Sequence, residues 1–423
     1  MASTAADGGT TDRAAVLPED ILFEIFSRVQ EDARDLLCCA FTCKPWLRLF
    51  TDRSFLLRLW PDHGHGHRRL LGFFFQKNLY GNRKMAIKKH ARRYYSVSAP
   101  TFLPTPGSPL GPGERAITSF VADDDGAFSY AEPVASRNGF VLMRIMPRKY
   151  HKTKGQVVFG LCNPITGERH VTPPLDCACH GHCVNGYAIL MDADHSPSSG
   201  GRHSAFSQLL LTGYHDDDGH VHLHVYSAAT RSWSALTTRC HSAFLLGADD
   251  AHWLYYTPRY HHRPRLYILG FEVTTARVSF TELPFSFNFS AGWSSSFLCV
   301  SRDGNRLSVA SVYAMQVDVW TQQDGGDDNQ WLCTQGIKIP PKVRHPEIYT
   351  YSRRRKCSFL NRGSLLALYE CDNIFVVDIE SNDLERVMVC PESLLHNAYG
   401  TCVPLEVDIL EFFIVRLGGL SQG

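Results

Sequence analysis

Two apolar periods divide this chain, and the change between them limits what it can fold into. From Leu17 to Trp60 apolar side chains recur at offsets of three and four, the mark of helices with one buried face. From about residue 70 that spacing disappears and short apolar runs alternate with turn-forming clusters, the pattern of an all-β domain. The expectation is an α plus all-β chain, with a small helical segment ahead of a large β-rich domain.

Leu17-Pro18-Glu19-Asp20 reads as a helix start, with proline at the first helical position and two carboxylates where the helix dipole is positive. Ile21, Leu22, Ile25, Phe26 and Val29 then give one apolar face. Asp32 or Asp35 restarts the chain into Leu36, Leu37, Ala40, Phe41 and Cys43. A third stretch follows Lys44-Pro45-Trp46 and carries Leu47, Leu49, Phe50, Phe55, Leu56, Leu59 and Trp60. About 45 residues cannot bury so much apolar surface alone, so the three helices need a partner or the neighbouring domain. Two readings stand open: a docking module, or a helical cap on the domain that follows.

In the β-rich part, strands are expected at Leu70 to Phe75, Gly139 to Ile145, Gln156 to Cys162, Gln208 to Thr212, His222 to Tyr226 and Ala243 to Leu246. Leu266 to Phe271, Ser296 to Val300, Leu307 to Ala310, Leu365 to Tyr369 and Ile374 to Ile379 continue the series. Asp125-Gly126, Asp218-Gly219, Asp303-Gly304 and Gly325-Gly326 supply turns. An imperfect repeat also runs through it, in which an apolar strand ends in a polar turn and restarts on a β-branched or aromatic residue. Its instances begin at Leu161, Val225, Gly270 and Val376, with a looser one from Val317 to Trp331. Their spacing of about 45 or about 60 residues suits four-stranded propeller blades with insertions. The reading is a β-propeller-like domain of six or seven blades over residues 70–423, closed by a strand from Leu405 to Leu417; a pair of β-sandwiches is the competing architecture. Residues 1–15 read as a disordered leader, 16–60 as the helical module and 61–69 as a linker.

A formal charge of +1 gives no general attraction to nucleic acid or membrane. The first sixteen residues have no basic start and no apolar core, so no secretory signal is expected. Glu406, Asp408, Glu411 and Arg416 interrupt the apolar C-terminal stretch, so no membrane span is expected. Fourteen cysteines, many inside apolar runs, read as reduced, packed thiols of an intracellular protein.

The helical stretch resembles a known family. Leu17-Pro18-Glu19-Asp20-Ile21-Leu22, Phe26-Ser27-Arg28-Val29, the run Asp35 to Trp46, and Asp52 to Leu56 are similar to an F-box at several fixed offsets. Thr42 and Pro45 stand where that family usually has Val and Arg or another helix former, and Pro45 is expected to break or restart the helix before Trp46. Ser136-Arg137-Asn138-Gly139-Phe140-Val141-Leu142, Cys162-Asn163-Pro164-Ile165-Thr166-Gly167-Glu168 and Thr172-Pro173-Pro174 resemble the opening blades of plant, especially grass, F-box proteins with a propeller-like associated domain. The resemblance implies a non-catalytic substrate receptor of a Skp/cullin/F-box ubiquitin ligase, cytoplasmic or nuclear, without a cofactor. Its partners would be a Skp-type adaptor, through it a cullin, and a protein substrate. The adaptor-binding residues it implies are Leu17, Pro18, Ile21, Leu22, Ile25, Leu37, Cys43, Trp46 and Phe55. The alternative is a stand-alone propeller scaffold or ligand-binding protein.

Other residues carry weaker chemistry. Cys177, Cys179, His180, His182 and Cys183 are suitable zinc ligands, but they form one dense cluster without the distant second pair of a structural site, and read as loop thiols. His63, His65 and His67 are spaced by glycine and read as linker. The basic stretch Arg83 to Arg93 and the shorter Arg353 to Lys356 offer a nucleic-acid or nuclear-address reading against that of solvated loops. Asp123 to Gly126 and Asp216 to Gly219 lack the alternating oxygens of a calcium loop and read as hairpin turns. Asn288-Phe289-Ser290 matches a glycosylation acceptor by chance spacing. No phosphate-binding loop and no His-Glu-x-x-His helix is present.

Overall fold

The computed structural model describes residues 17–29, 32–61, 68–76, 78–79, 96–97, 99–145, 156–176, 184–192, 205–215, 220–239, 244–246, 252–256, 266–272, 277–282, 295–300, 307–312, 316–323, 331–338, 356–359, 365–370, 373–378, 384–389 and 402–421.

Four short helices open the described chain: α1 (Glu19–Ser27), α2 (Ala33–Ala40), α3 (Lys44–Leu49) and α4 (Arg53–Leu59). Three were expected. The third stretch divides because Asp52 leaves the helical conformation and caps a new start, its carboxylate accepting from the Ser54 amide at 2.8 Å and hydroxyl at 2.7 Å. Asp32 does the same for α2, accepting from the amides of Arg34 and Asp35. Pro18 is the N-cap of α1 rather than its first helical residue, with ψ at 145°. Pro45 lies in the first turn of α3, where its missing N–H removes no helical bond, so the helix restarts just before Trp46 as expected.

The rest of the described chain is a series of antiparallel sheets. The first is ordered Cys402–Asp408, Arg68–Phe75, Thr101–Pro104, Arg115–Ala116. The second runs from Ala131–Arg137 through Phe140–Ile145 to Gln156–Cys162, which pairs with both Arg169–Val171 and Leu175–Asp176. Four four-stranded meanders follow in strict chain order. The third sheet comprises Val184–Met191, Phe206–His215, His220–Ser227 and Ser232–Arg239; the fourth, Phe244–Leu246, His252–Tyr256, Leu266–Glu272 and Arg277–Glu282. The fifth comprises Ser295–Val300, Leu307–Val312, Gln316–Gln322 and Trp331–Lys338; the sixth, Lys356–Phe359, Leu365–Glu370, Asn373–Asp378 and Leu384–Val389. Consecutive sheets touch in series, and the sixth returns to the first where Lys356–Phe359 meets Cys402–Asp408, which also lies against Ala131–Arg137. This is a propeller-like arrangement.

The internal repeat has a structural meaning. In the third, fourth, fifth and sixth sheets it is the connection between third and fourth strands, and in the second it is the turn from Gln156–Cys162 to Arg169–Val171. There Asn163 organises the turn: its side-chain oxygen accepts from the Ile165 amide at 2.9 Å, and Gly167 takes φ of 79° while donating to the Asn163 carbonyl.

The closing strand is shorter than expected. It spans Cys402–Asp408, and residues 409–421 form a helix, α5 (Ile409–Ser421), rather than continuing the strand to Leu417. Asp408 starts this helix by accepting from the amides of Leu410 and Glu411. Ile409, Leu410, Phe412, Phe413 and Leu417 have helical spacing, and all are buried.

One hydrophobic core joins α1 to α4, α5, the first sheet and the near side of the second, from Phe26 and Phe50 to Leu405, Phe413 and Val141. Within it, Gly72 sits at a register shift in Arg68–Phe75, and a β-carbon there would lie 2.4 Å from the Leu103 carbonyl oxygen and 2.5 Å from the Phe102 ring. Backbone cannot move aside as a flexible side chain can. Gly72→Ala is therefore expected to cost about 2–3 kcal/mol in urea denaturation; a loss below about 0.5 kcal/mol would show that the strands separate freely at this point.

Candidate docking surface

The helical segment is built around Phe26. Its ring meets Trp46 edge-on at 5.1 Å, Phe50 at 4.9 Å and Phe55 at 6.3 Å between centroids. Leu22, Leu36, Ala40, Leu56, Leu59 and Trp60 complete the interior. Arg58 ties the end of α4 to the start of α1, donating to Glu19 at 2.8 Å and Asp20 at 3.4 Å with its guanidinium 4.8 Å from the Phe23 ring centroid. These partners are solvated, so the ion pairs orient the helices more than they stabilise them.

What the segment leaves outside is apolar. Ile21 and Ile25 sit at i, i+4 on α1, Leu17 lies just ahead of its N-cap Pro18, and all three are between 43% and 49% exposed. Phe41, at the end of α2, is 59% exposed, and Leu57 on α4 is exposed as well. Five of the nine exposed large apolar side chains among the described residues thus fall on these helices, a concentration of the kind that marks an interaction surface.

The nine residues expected to bind an adaptor separate into groups. Leu17, Pro18, Ile21 and Ile25 are exposed, and Leu37, Cys43 and Trp46 are half-buried. Leu22 and Phe55 are 2% and 1% exposed and belong to the interior of the module. Phe41 and Leu57 were not expected at the surface site. The i, i+4 pair Leu37 and Phe41, one position beyond the buried pair Leu36 and Ala40, is the signal that identifies the first.

Asp52 carries a pH-dependent contribution. Hydrogen bonds from the Ser54 hydroxyl and amide hold its carboxyl below the usual carboxylate range. A carboxyl depressed in the folded state stabilises above its ordinary pKa, and that contribution is lost as pH falls through the lower folded value. Asp52→Ala is expected to cost about 1 kcal/mol near pH 7. In thermal melts taken at decreasing pH the gap to wild type should close below the ordinary carboxylate range; a gap independent of pH would assign the loss to something other than the charge. Burial, Asp35 and Cys38 push the Cys39 thiol up, and burial pushes the Cys162 thiol up much further, so both stay protonated.

The other candidate residues fall as follows. Asp123 accepts from the amides of Phe128 and Ser129 and from the Ser129 hydroxyl, and Asp125 pairs with Arg169. Asp123 to Gly126 is thus a capped turn leading into a 3-10 helix, Phe128–Tyr130, rather than a hairpin turn. A Gly-x-Ser-x-Gly spacing occurs at Gly419 to Gly423, but Ser421 ends α5 instead of standing at the strand-to-helix turn a nucleophile elbow needs. The Cys177 to Cys183 cluster, His63 to His67, Arg83 to Arg93, Arg353 to Arg355, Asp216 to Gly219 and Asn288 lie outside the described residues. Among the described residues no helix is long and apolar enough to cross a membrane.

A family model described as a domain of unknown function (DUF7595) matches residues 113–331, and one described as F-box-like matches residues 14–59. No curated protein matches the chain. Solved structures similar to it include the β-propeller domain of the Trilobed protease from Pyrococcus furiosus, at 11% identity and a TM-score of 0.33, over 61% of this chain and 83% of that one. A protein from Lactobacillus plantarum is 11% identical with a TM-score of 0.38, over 80% of this chain and 100% of its own. A putative 6-phosphogluconolactonase from Bacteroides uniformis is 10% identical with a TM-score of 0.36, over 61% and 70%.

Proposed function

Because this chain belongs to the DUF7595 family through residues 113–331 and carries an F-box-like segment at 14–59, we propose that it is the substrate-recognition subunit of a Skp/cullin/F-box ubiquitin ligase. The observation that carries the reading is the exposed apolar set Leu17, Ile21, Ile25, Phe41 and Leu57 on the F-box-like helices. An adaptor covers these side chains, with half-buried Leu37, Cys43 and Trp46 at the margin. The sheets form a propeller of six blades, supported by the serial contacts that lead from each sheet to the next and back to the first, and they hold a protein substrate. Catalysis is then proximity: the substrate is kept near a ubiquitin thioester carried by other subunits, and no residue of this chain touches the bond being made. The site of action is cytoplasmic or nuclear, where that machinery resides.

Titration of the full chain with a purified Skp-type adaptor tests this. Saturable one-to-one binding is expected, and failure to bind would sink the reading. One observation favours the second reading, a structural cap on a free-standing binding domain: the helices share a continuous core with α5 and the first sheet. A cap buries its apolar side chains against its own domain, however, and these five remain outside.

A further inference from the structure

Residues 402–421 hold the two halves of the molecule at once. The strand Cys402–Asp408 pairs along the whole of Arg68–Phe75, from Cys402 opposite Phe75 to Asp408 opposite Arg68. A hairpin of the second sheet fastens onto it: the Ser136 hydroxyl donates to the Pro404 carbonyl, and the Gly139 amide donates to the Glu406 carbonyl at 2.9 Å. Asn138 and Gly139, with φ of 48° and 80°, make the tight turn that places that amide. Without interruption the chain is capped at Asp408 and enters α5, which buries Phe412, Phe413 and Leu417. The Phe413 ring lies 5.6 Å from Phe50 and 5.4 Å from Trp60.

Helices of six to nine residues do not hold themselves, and α3 and α4 both pack against α5. We infer that residues 402–421 act as a strap that lets the docking helices fold only when the ring of sheets has closed. Closure seats Cys402–Asp408 between Arg68–Phe75 and the Ser136 to Gly139 hairpin; that placement delivers Phe413 to Phe50 and Trp60. A chain with its ring open keeps its helices unfolded and presents no docking face. The coupling stands on these contacts alone, and its consequence for an adaptor rests on the docking reading.

Amide hydrogen exchange separates the two. It is read on the full chain, on Phe413→Ala and on a chain ending at Asp408. Exchange across residues 19–59 is expected to speed up about a hundredfold in Phe413→Ala and to lose protection in the shortened chain, while 206–239 keeps wild-type rates. Ser136→Ala, which touches the strap only at its strand end, is expected to accelerate exchange in 19–59 by a few-fold. Unchanged protection of 19–59 in all three variants overturns the inference. Adaptor binding by the same proteins is measured separately: a wild type that binds no adaptor removes the docking reading and leaves the exchange result standing.

Discussion

Changing Ile21 and Ile25 together to Asp should weaken capture of a Skp-type adaptor by at least about a hundredfold, with a melting temperature within about 3 °C of wild type. Each substitution removes an apolar anchor and places a carboxylate that would have to be desolvated against the partner. The fold is spared because neither side chain contributes to the interior: Leu22 and Phe26, one position further on, do that work. Ile21 lies in the first turn of α1, where a carboxylate suits the helix dipole. Isothermal titration and a thermal melt on the same preparation check both halves. Undiminished binding would mean that the partner docks elsewhere, and a large drop in melting temperature would mean that these side chains are structural.

Phe50→Ala should have the opposite profile. Its ring is fully buried among Phe26 at 4.9 Å, Phe55 at 6.0 Å and Phe413 at 5.6 Å. Removing it opens a cavity where three elements meet, at a cost of about 3–5 kcal/mol. Since helices this short depend on tertiary packing, the loss should appear as a separate low-denaturant transition in the helical signal, with adaptor binding lost alongside it. A single transition shifted by less than about 1 kcal/mol would show that the site collapses around the smaller side chain.

Much of this was legible in the residues, for identifiable reasons. Asp32 announces α2 because a carboxylate that satisfies two free amides is a local device, independent of tertiary structure. Gln156–Cys162 and Leu307–Val312 emerge from short apolar runs between turns, and the repeated polar turn marks the connection before each outer strand. Ala131–Arg137 was not legible: Pro133 argues against a strand, and it is accommodated because this strand is at the edge of its sheet and its register shifts between Pro133 and Ala135. The stretch beyond Asp408 is helical where a strand is expected, because apolar residues in short runs fit either period, and length and capping decide. The division of the docking residues into exposed Ile21 and buried Phe55 depends on how the rings of Phe23, Phe26 and Phe50 close around Phe55, which no local spacing reveals.

The distance in sequence between Phe50 and Phe413, which meet in one aromatic cluster, sets a delay during synthesis. At about 5–20 residues per second, the F-box-like helices leave the ribosome roughly 20–70 seconds before the ring that completes their core. Throughout that interval Phe50 and Trp60 lack the Phe413 ring that packs on them. A polypeptide arrested by a premature stop never acquires Phe413, and its aromatic cluster around Phe50 and Trp60 stays incomplete.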